Sequence, residues 1–569
     1  MKKLILGAVS LLFLSALPLS AISSLSKIPR GAQELIPSRH WVYDALEAIS
    51  LEARILNFAD SAPVSVQHIR DMLAEIDYDS LSEQGRTQYD RIESYFEEAY
   101  IGIQSDLLSV GMDVTFNPEC FYKSNDDIDW TFDRYSRSGL IEAPVTIGVG
   151  DYVTMSATMA LEQNKGVTLH DDNYTNIPTS ASQIDTNFPH TAYINAGKKL
   201  TEKTGVQFMM HLGEQSIGRT QSGSVIWSDY LTGATTGKLT FYAPALQYSA
   251  AVTELNVDKY FYYHQLDVRL FKRFSITLLE GLLVYDSLEL RYLNPWTIFH
   301  GFAAWRDYGD YDGSMDYDSD DETHTCDYFA VKMEFVPFSG MRLYGLFAMT
   351  QYQTPYERSN WPNDVTPDGL GFQGGGEWYI PFASGYLHFG LEGTYTQPYL
   401  YIKASPNWSL VRTYSENIGD HAIFYEWIGS PFGPDTIAGE LTAGYETPGK
   451  LSVDLTYLFM ARGEQSGTSV FDSINWGGQV TQFTSDDADS WCYPTDANGQ
   501  SQYKSTPSGT PEYVNRLSVR LTWQAKPYLQ IIAQPAYVLK FNTDHVVGET
   551  AHGFEIALAF ELSPLRLLK

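Results

Sequence analysis

The spacing of apolar residues divides the chain into two parts near residue 110. Before that point apolar side chains recur every three or four residues, which is the period of an α-helix. Ser38 and Ser65 stand where helix N-caps are expected. The stripes are Trp41, Ala45 and Ile49; Ile69, Met72, Leu73 and Ile76; and Tyr89, Ile92, Phe96 and Ala99. These stripes predict a small packed bundle of helices.

From Val110 onward the apolar period changes to two. The stretch "LSVDLTYLF" places five apolar side chains on one face and Ser452, Asp454 and Thr456 on the other. "RLSVRLTWQ" and "GFEIALAFEL" alternate in the same way. Such alternation predicts β-strands, and it fits both a half-buried soluble sheet and a membrane strand.

The connections between the predicted strands favour the membrane alternative. Every second connection is tight, and the connections between them are mostly longer and more polar, as in 294–324 and 463–512. Short turns at one end and long loops at the other are typical of a transmembrane β-barrel. The tight turns are 150–151, 200–204, 243–245, 272–273, 338–340, 383–385, 447–450 and 525–527. Eight turns and nine longer loops predict 18 antiparallel strands, with both chain ends on the short-turn side.

The N-terminus predicts that the chain is exported from the cytoplasm. Lys2 and Lys3 precede an apolar run, and the small residue Ala21 ends it, as in a secretory signal peptide. We therefore divide the chain into a signal peptide (1–21), a periplasmic α-helical region (22–107) and an outer-membrane β-barrel with long extracellular loops (108–569). The predicted fold class is mainly β, and the predicted location is the outer membrane of a diderm bacterium.

Composition narrows the classes of partner. The chain has 39 Tyr, 29 Phe and 12 Trp, which fits the aromatic girdles of membrane barrels. A formal net charge of -31 argues against nucleic acid, whose binding needs basic patches. Cys120, Cys326 and Cys492 are an odd number in an oxidising compartment, so one bridge plus one free thiol is an open alternative.

Charged residues recur at positions predicted to face the lumen. An 18-stranded barrel is wide enough for an aqueous lumen unless loops fill it. The mixed signs fit either a selectivity path or structural salt bridges within a closed barrel. The candidates are Asp267, Arg269, Lys332, Glu334, Glu392, Glu440, Asp454, Arg520 and Glu555.

One stretch carries a family resemblance. "WIGSPFGPD", followed by a strand, a tight turn and "LTYLFMARGE", resembles an element of the Wzi-type capsule-assembly family of outer-membrane proteins. Ser430 stands where that element usually has histidine. "GLEGTYTQPYLY" and "YLNPWTIFH" are similar to other stretches of the family, and the glycines and prolines are more typical of loop architecture than of ligand contacts. The matching residues are Gly429, Pro431, Gly433, Pro434 and Asp435.

The resemblance implies an 18-stranded barrel with a small periplasmic bundle and a closed lumen. It also implies a non-enzymatic lectin that holds surface polysaccharide, or another envelope glycan, through its extracellular loops. Outer-membrane lipid and the barrel-assembly machinery are further expected partners. A porin-like channel or substrate-specific transporter is the alternative, and it differs by predicting ion flux through the lumen.

Aromatic residues of the long loops are the candidate glycan contacts, because their rings stack on sugar faces. Each has the alternative role of a girdle or loop-packing residue. The candidates are Trp305, Tyr308, Tyr311, Trp361, Trp408, Trp476 and Trp491.

The acidic stretch "RDYGDYDGSMDYDSDDE" is the densest charge run, and it offers oxygen ligands for Ca²⁺. Its register departs from that of an EF-hand because Gly313 comes too early. A solvated acidic loop is therefore the other interpretation. The candidate ligands are Asp310, Asp312, Asp316, Asp318 and Asp320. The sequence has neither an HExxH motif nor a G-x-S-x-G elbow, so we expect no catalytic residues.

Overall fold

The computed structural model describes residues 26–97, 100–128, 138–163, 174–185, 189–300, 325–360, 368–403, 407–416, 422–464 and 505–567. The main feature is a closed barrel of 18 antiparallel strands. The fold class and the strand number predicted from the sequence are both confirmed.

The strands follow one another around the barrel in chain order. Strand β1 is formed by three short pieces, Leu108–Met112, Thr115–Phe116 and Glu119–Lys123. The next eight strands are β2 Ile141–Val149, β3 Val153–Leu161, β4 Thr191–Lys199, β5 Gly205–Leu212, β6 Thr235–Ala243, β7 Leu246–Asn256, β8 Lys259–Leu270 and β9 Phe274–Tyr285. The last nine are β10 Thr325–Phe335, β11 Met341–Gln351, β12 Gly369–Phe382, β13 Gly385–Thr396, β14 Thr436–Thr447, β15 Leu451–Arg462, β16 Glu512–Lys526, β17 Leu529–Phe541 and β18 Thr550–Leu562.

Pairing of the last strand with the first closes the sheet. Glu555 of β18 lies opposite Lys123 of β1, and Leu562 lies opposite Phe116. On its other side β1 pairs with β2, where Leu108 lies opposite Val149. Closure removes the two edges that an open sheet would present to other chains.

The eight predicted tight turns all join neighbouring strands, from β2–β3 to β16–β17, and they lie at one end of the barrel. We call this the short-turn end, and the opposite one the long-loop end. One connection at the long-loop end is also tight, because only Val257 and Asp258 join β7 to β8. Asp258 adopts a positive φ of 57° there, which an aspartate tolerates better than most residues.

Three helices precede the barrel: α1 Trp41–Glu52, α2 Val66–Leu73 and α3 Glu83–Glu97. Their predicted stripes pack into one core, with Ile49, Ile69 and Ile92 fully buried. Ala99 of the third stripe lies outside the described residues. A short helix, α4 Pro355–Asn360, follows β11. Within the described ranges no helix is long and apolar enough to cross a membrane.

The two N-cap predictions had different outcomes. Ser65 caps α2, since its side chain accepts the hydrogen bond of the His68 N–H at 3.3 Å. The prediction for Ser38 was wrong, because α1 is capped by His40, whose ring nitrogen accepts the N–H of Val42. Ser38 lies two residues too early and is itself buried.

The helices cover the short-turn end of the barrel. The Leu56 N–H, just after α1, donates to the Lys272 carbonyl in the β8–β9 turn at 2.8 Å. The Ser339 hydroxyl in the β10–β11 turn donates to the Glu52 carbonyl at 2.8 Å. Residues 1–21 lie outside the described residues, so the signal peptide stays a prediction. The division of the chain at residue 107 also stays a prediction.

The two faces of the barrel wall differ in chemistry. Outward side chains are apolar and exposed, as with Phe208 and Met210 of β5 and Phe241 of β6. Inward side chains include buried charges such as Asp267. This inversion of the soluble pattern is the one that a membrane barrel requires.

The described cysteines are both free thiols. Cys120 is exposed in β1, and Cys326 is buried in β10. They lie on strands far apart around the barrel, so a bridge between them is excluded in this fold. Cys492 lies outside the described residues.

Candidate functional site

The lumen is the region where the predicted charged residues come together, and a loop fills much of it. The β5–β6 connection, residues 213–234, turns into the barrel. Its apolar run Val225, Ile226 and Trp227 is completely buried. This run packs in one cluster with inward residues of the wall, including Tyr263 and Tyr328. Burial of so many apolar atoms stabilises the loop inside the lumen.

Glu392 of β13 holds this loop by its backbone. Its carboxylate accepts the N–H groups of Gln221 at 3.1 Å and Ser222 at 3.0 Å, together with the Ser222 hydroxyl. The Tyr344 hydroxyl donates to the same carboxylate at 2.5 Å. A carboxylate that is only 2% exposed is stabilised by such a set of donors.

The family-like element lies against the same loop. Tyr401 donates its hydroxyl to the Val225 carbonyl at 2.5 Å and accepts the Ser430 N–H at 2.9 Å. A Cβ atom on Gly429 would lie 2.3 Å from the Val225 carbonyl, so only glycine fits there. Pro431 packs beside Gly223 of the loop. The element therefore helps to close the lumen from the long-loop end.

Asp435 ends this element and ties it to a second long connection. It is fully buried, with a φ of 55°. Its carboxylate accepts the Ser508 N–H at 3.1 Å, and its carbonyl accepts the Gly463 N–H at 2.8 Å. Gly433 also has a positive φ, of 74°. Backbone conformation thus explains why Gly433 stands at its position, and hydrogen bonds to the second loop explain Asp435.

Buried ion pairs join the helices to the wall on the short-turn side of the lumen. Asp60, between α1 and α2, pairs with Lys332 of β10, and Lys332 also lies 2.8 Å from Glu334. Arg342 of β11 lies 2.9 Å from Glu47 of α1. Burial raises the pKa of the Glu47 carboxyl to about 8, against the opposing effect of Arg342.

A cavity of about 30 Å³ lies among these groups. Its lining includes Glu47, Asp60, Arg219 and Arg342. That volume has room for about one water molecule among polar partners. The cavity is therefore too small for a sugar.

The predicted lumen residues all lie on inward positions, and several of them bond to other parts of the protein. Asp267 accepts hydrogen bonds from Gln265 and Thr277, and Arg269 donates to the Leu56 carbonyl at 2.5 Å. Glu440 is also buried. Asp454 lies opposite Arg520 in the register of β15 and β16. The contacts of Asp267 and Arg269 fit the structural alternative that we set beside a selectivity path.

Most of the predicted glycan-contact and metal-binding residues belong to the long loops. Trp305, Tyr308, Tyr311, Trp361, Trp476 and Trp491 lie outside the described residues, as do the five acidic-loop candidates Asp310, Asp312, Asp316, Asp318 and Asp320. Trp408 is described and is only 6% exposed, in a cluster with Tyr285. That position matches loop packing. No group of three or more metal-binding side chains occurs in the part of the chain that the structure describes.

The residues that fill the lumen were not predicted from the sequence. Nothing in the spacing of Gln221, Ser222 and Gln373 marks them, although Gln373 also bonds the loop at the Val225 N–H. The one local signal is the apolar run 225–227 within a polar connection. Such a run inside a loop indicates burial, but only the fold shows where it is buried.

Comparison with known proteins shows a similarity of fold and no match by sequence. No protein-family profile matches the chain, and no curated sequence matches it. Among solved structures it is similar to Wzi, a carbohydrate-binding β-barrel involved in group 1 capsule assembly in Escherichia coli. The TM-score is 0.57 at 11% identity, covering 94% of this chain and 99% of that one. The barrel architecture that the resemblance implied is thus confirmed.

Channels align less well. The outer-membrane channel DcaP of Acinetobacter baumannii has a TM-score of 0.35 at 9% identity, covering 81% of this chain and 99% of that one. An anion-selective porin from Comamonas acidovorans has a TM-score of 0.32 at 7% identity, with 80% and 99% covered.

Proposed function

We propose that this protein is a non-enzymatic outer-membrane barrel of the Wzi type that binds or anchors a surface polysaccharide. In this proposal the long-loop end is extracellular and carries the glycan contacts. The helices α1 to α3 lie in the periplasm, where a cleaved signal peptide has delivered the chain. Outer-membrane lipid surrounds the apolar outer wall.

The observation that carries the proposal is the path of the β5–β6 loop through the lumen. The buried Val225 and Trp227 of this loop occupy space that a diffusion channel would need open. Glu392 holds the loop there through bonds to its backbone. A barrel closed in this way has its accessible chemistry at its loops. The likeness to a carbohydrate-binding barrel over 94% of this chain supports a glycan as the ligand.

The first test compares a deletion strain with its parent for cell-bound and released polysaccharide. We expect glycan to move from the cell surface into the medium while total synthesis stays unchanged, because anchoring is lost and synthesis is not. Complementation with the full chain should restore the cell-bound fraction. An unchanged distribution would overturn the anchoring role.

The second test separates a binding protein from a channel. We expect the purified protein to show negligible conductance in planar bilayers. Glu392→Ala removes the acceptor of two loop N–H groups, which costs roughly 2–4 kcal/mol of loop docking, so channel openings should become measurable. The matched control is Glu254→Ala, which removes an exposed carboxylate near the long-loop end of β7. Steady conductance of the unmodified protein would favour the porin-like alternative.

A further inference from the structure

The segment that follows β9 folds back over the outside of the barrel. Residues 286–300, which we call the strap, contain the buried Tyr292 and Phe299. Both pack in a cluster with Tyr262, Leu282 and Val284 of the wall. These three wall positions alternate with inward residues of the lumen cluster, so they point outward.

The strap covers polar groups of the outer wall. The Phe299 ring stacks on His264 of β8, with centroids 4.4 Å apart. The His300 N–H donates to Glu280 of β9 at 3.1 Å, and the His300 ring lies 2.8 Å from Asp327 of β10. His264 and Glu280 would otherwise be polar groups on an apolar wall, whereas the pair of His300 and Asp327 stays exposed, at 85% and 43%.

Side chains satisfy several backbone groups of the strap, although it has no regular ladder. The Glu289 N–H donates to the Tyr262 hydroxyl at 2.9 Å, and the Trp296 N–H donates to the Asn294 side chain at 3.2 Å. The Tyr248 hydroxyl donates to the Pro295 carbonyl. Such pairing is what irregular backbone needs where water is absent.

The strap reaches far along the wall. Trp296 stacks on Tyr248, with ring centroids 6.2 Å apart and planes 11° apart. Tyr248 is only two residues from Leu246, the first residue of β7 at the short-turn end. The strap enters from the long-loop end, after Tyr285. It therefore spans most of the wall height between the two ends.

Five large apolar side chains of the strap are exposed and face away from the barrel: Leu288 47%, Leu290 78%, Leu293 40%, Trp296 85% and Ile298 68%. Exposed polar residues, among them Arg291 and His300, lie beside them. This surface continues the apolar outer wall, where residues such as Leu278 are also exposed. An apolar surface continuous with a lipid-facing wall matches acyl chains.

We propose that the strap is a membrane-embedded segment whose outer side binds lipid acyl chains and whose inner side covers a polar patch on the barrel wall. This inference rests on the membrane location given in the proposed function. We assign lipid to the outer side because its large apolar side chains continue the apolar outer wall, and because several backbone groups of the strap bond to side chains of the protein.

Spin labels test the inference on the full chain in phosphatidylcholine vesicles. Ile298→Cys is labelled in a Cys120→Ser, Cys492→Ser background, since Cys326 is buried. Leu391→Cys, 60% exposed on the outer wall, and Phe271→Cys, 92% exposed in a tight turn, are the matched sites. Heat-modifiable migration on gels confirms that each variant is folded. Collision with oxygen reports lipid, and collision with a nickel chelate reports water.

We expect the label at residue 298 to resemble the one at 391, with oxygen collisions several-fold more frequent than nickel collisions. The label at 271 should show the reverse. A water-accessible residue 298 with a lipid-accessible residue 391 overturns the inference but leaves the membrane location intact. Shielding of residue 298 from both reagents overturns it in favour of a covering protein. A water-accessible residue 391 overturns the membrane location itself.

Discussion

At the residue scale, the space around a glycine depends on whether it faces outward or inward from the barrel wall. Gly345, Gly374, Gly393 and Gly439 lie opposite one another across strands β11 to β14 and face outward. Gly345, Gly374 and Gly393 line a groove of about 640 Å³ between apolar side chains. Gly281 of β9 faces inward instead, where an added Cβ would lie 2.4 Å from the Phe261 ring. The same residue type thus shapes an open surface at one site and a close contact at the other.

This difference predicts opposite effects of one substitution. Gly345→Ala should leave stability unchanged or raise it by up to about 1 kcal/mol, because no atom lies within 4 Å of the new Cβ. Gly281→Ala should cost about 1–3 kcal/mol through overpacking. Urea unfolding of the two matched variants in detergent, followed by tryptophan fluorescence, measures both values. Equal effects would contradict the assignment of the two faces.

At the element scale, helix α2 docks through an uncharged histidine. His68 is buried and stacks on Tyr242 of β6, with ring centroids 3.9 Å apart. Burial, helped by the nearby charge of Lys238, lowers the pKa of His68 to about 3. The neutral imidazole is therefore the form that the docked helix accepts.

The sign of the pH dependence follows from this lowered pKa. The unfolded histidine takes up a proton near pH 6.5 and the folded one does not, so stability falls as pH drops below about 6.5. Between pH 6.5 and 5 the loss should reach about 2 kcal/mol. His68→Phe keeps the ring stack and should remove this part of the slope. Unfolding at the two pH values measures it, and an unchanged slope in His68→Phe would refute the assignment.

At the scale of the whole molecule, buried charges couple the helical bundle to the barrel. Lys332 lies between Asp60 of the bundle side and Glu334 of the wall. Arg219 of the β5–β6 loop adds a contact at 2.5 Å with Asp44 of α1. Bundle, wall and lumen loop thus form one packed unit.

Removing the central cation should expose this coupling. Lys332→Met leaves the buried Asp60 carboxylate without its cation, whereas Glu334 keeps Arg342 at 3.2 Å, so the change should cost about 3–5 kcal/mol of stability. Adding Asp60→Asn should recover part of that loss, because one unpaired charge is gone. The control is Lys203→Met, an exposed lysine in a tight turn, with an expected effect within about 0.5 kcal/mol. Additive losses in the double variant would contradict a direct coupling.

The sequence by itself determined the barrel, its 18 strands and the tight turns, because these are read from local patterns. Side-chain alternation along "LSVDLTYLF" fixes which face each residue takes, and glycines with positive φ mark several of the turns, as at Gly150, Gly340 and Gly449. The inward charges Asp267, Glu392 and Arg520 followed from the same period of two. The capping error at Ser38 was a matter of two residues.

Only the tertiary structure decided what the lumen and the outer wall hold. Val225 and Glu392 are 167 positions apart in the chain, and one lies in a loop while the other lies in a strand. No local period relates the β5–β6 loop to strand β13. Likewise, His300 of the strap contacts Asp327 of strand β10, and the sequence pattern of neither segment indicates this contact. Contacts between irregular loops and distant strands depend on how the closed barrel places them in space. That placement is a property of the whole fold, which the alternation of single strands does not encode.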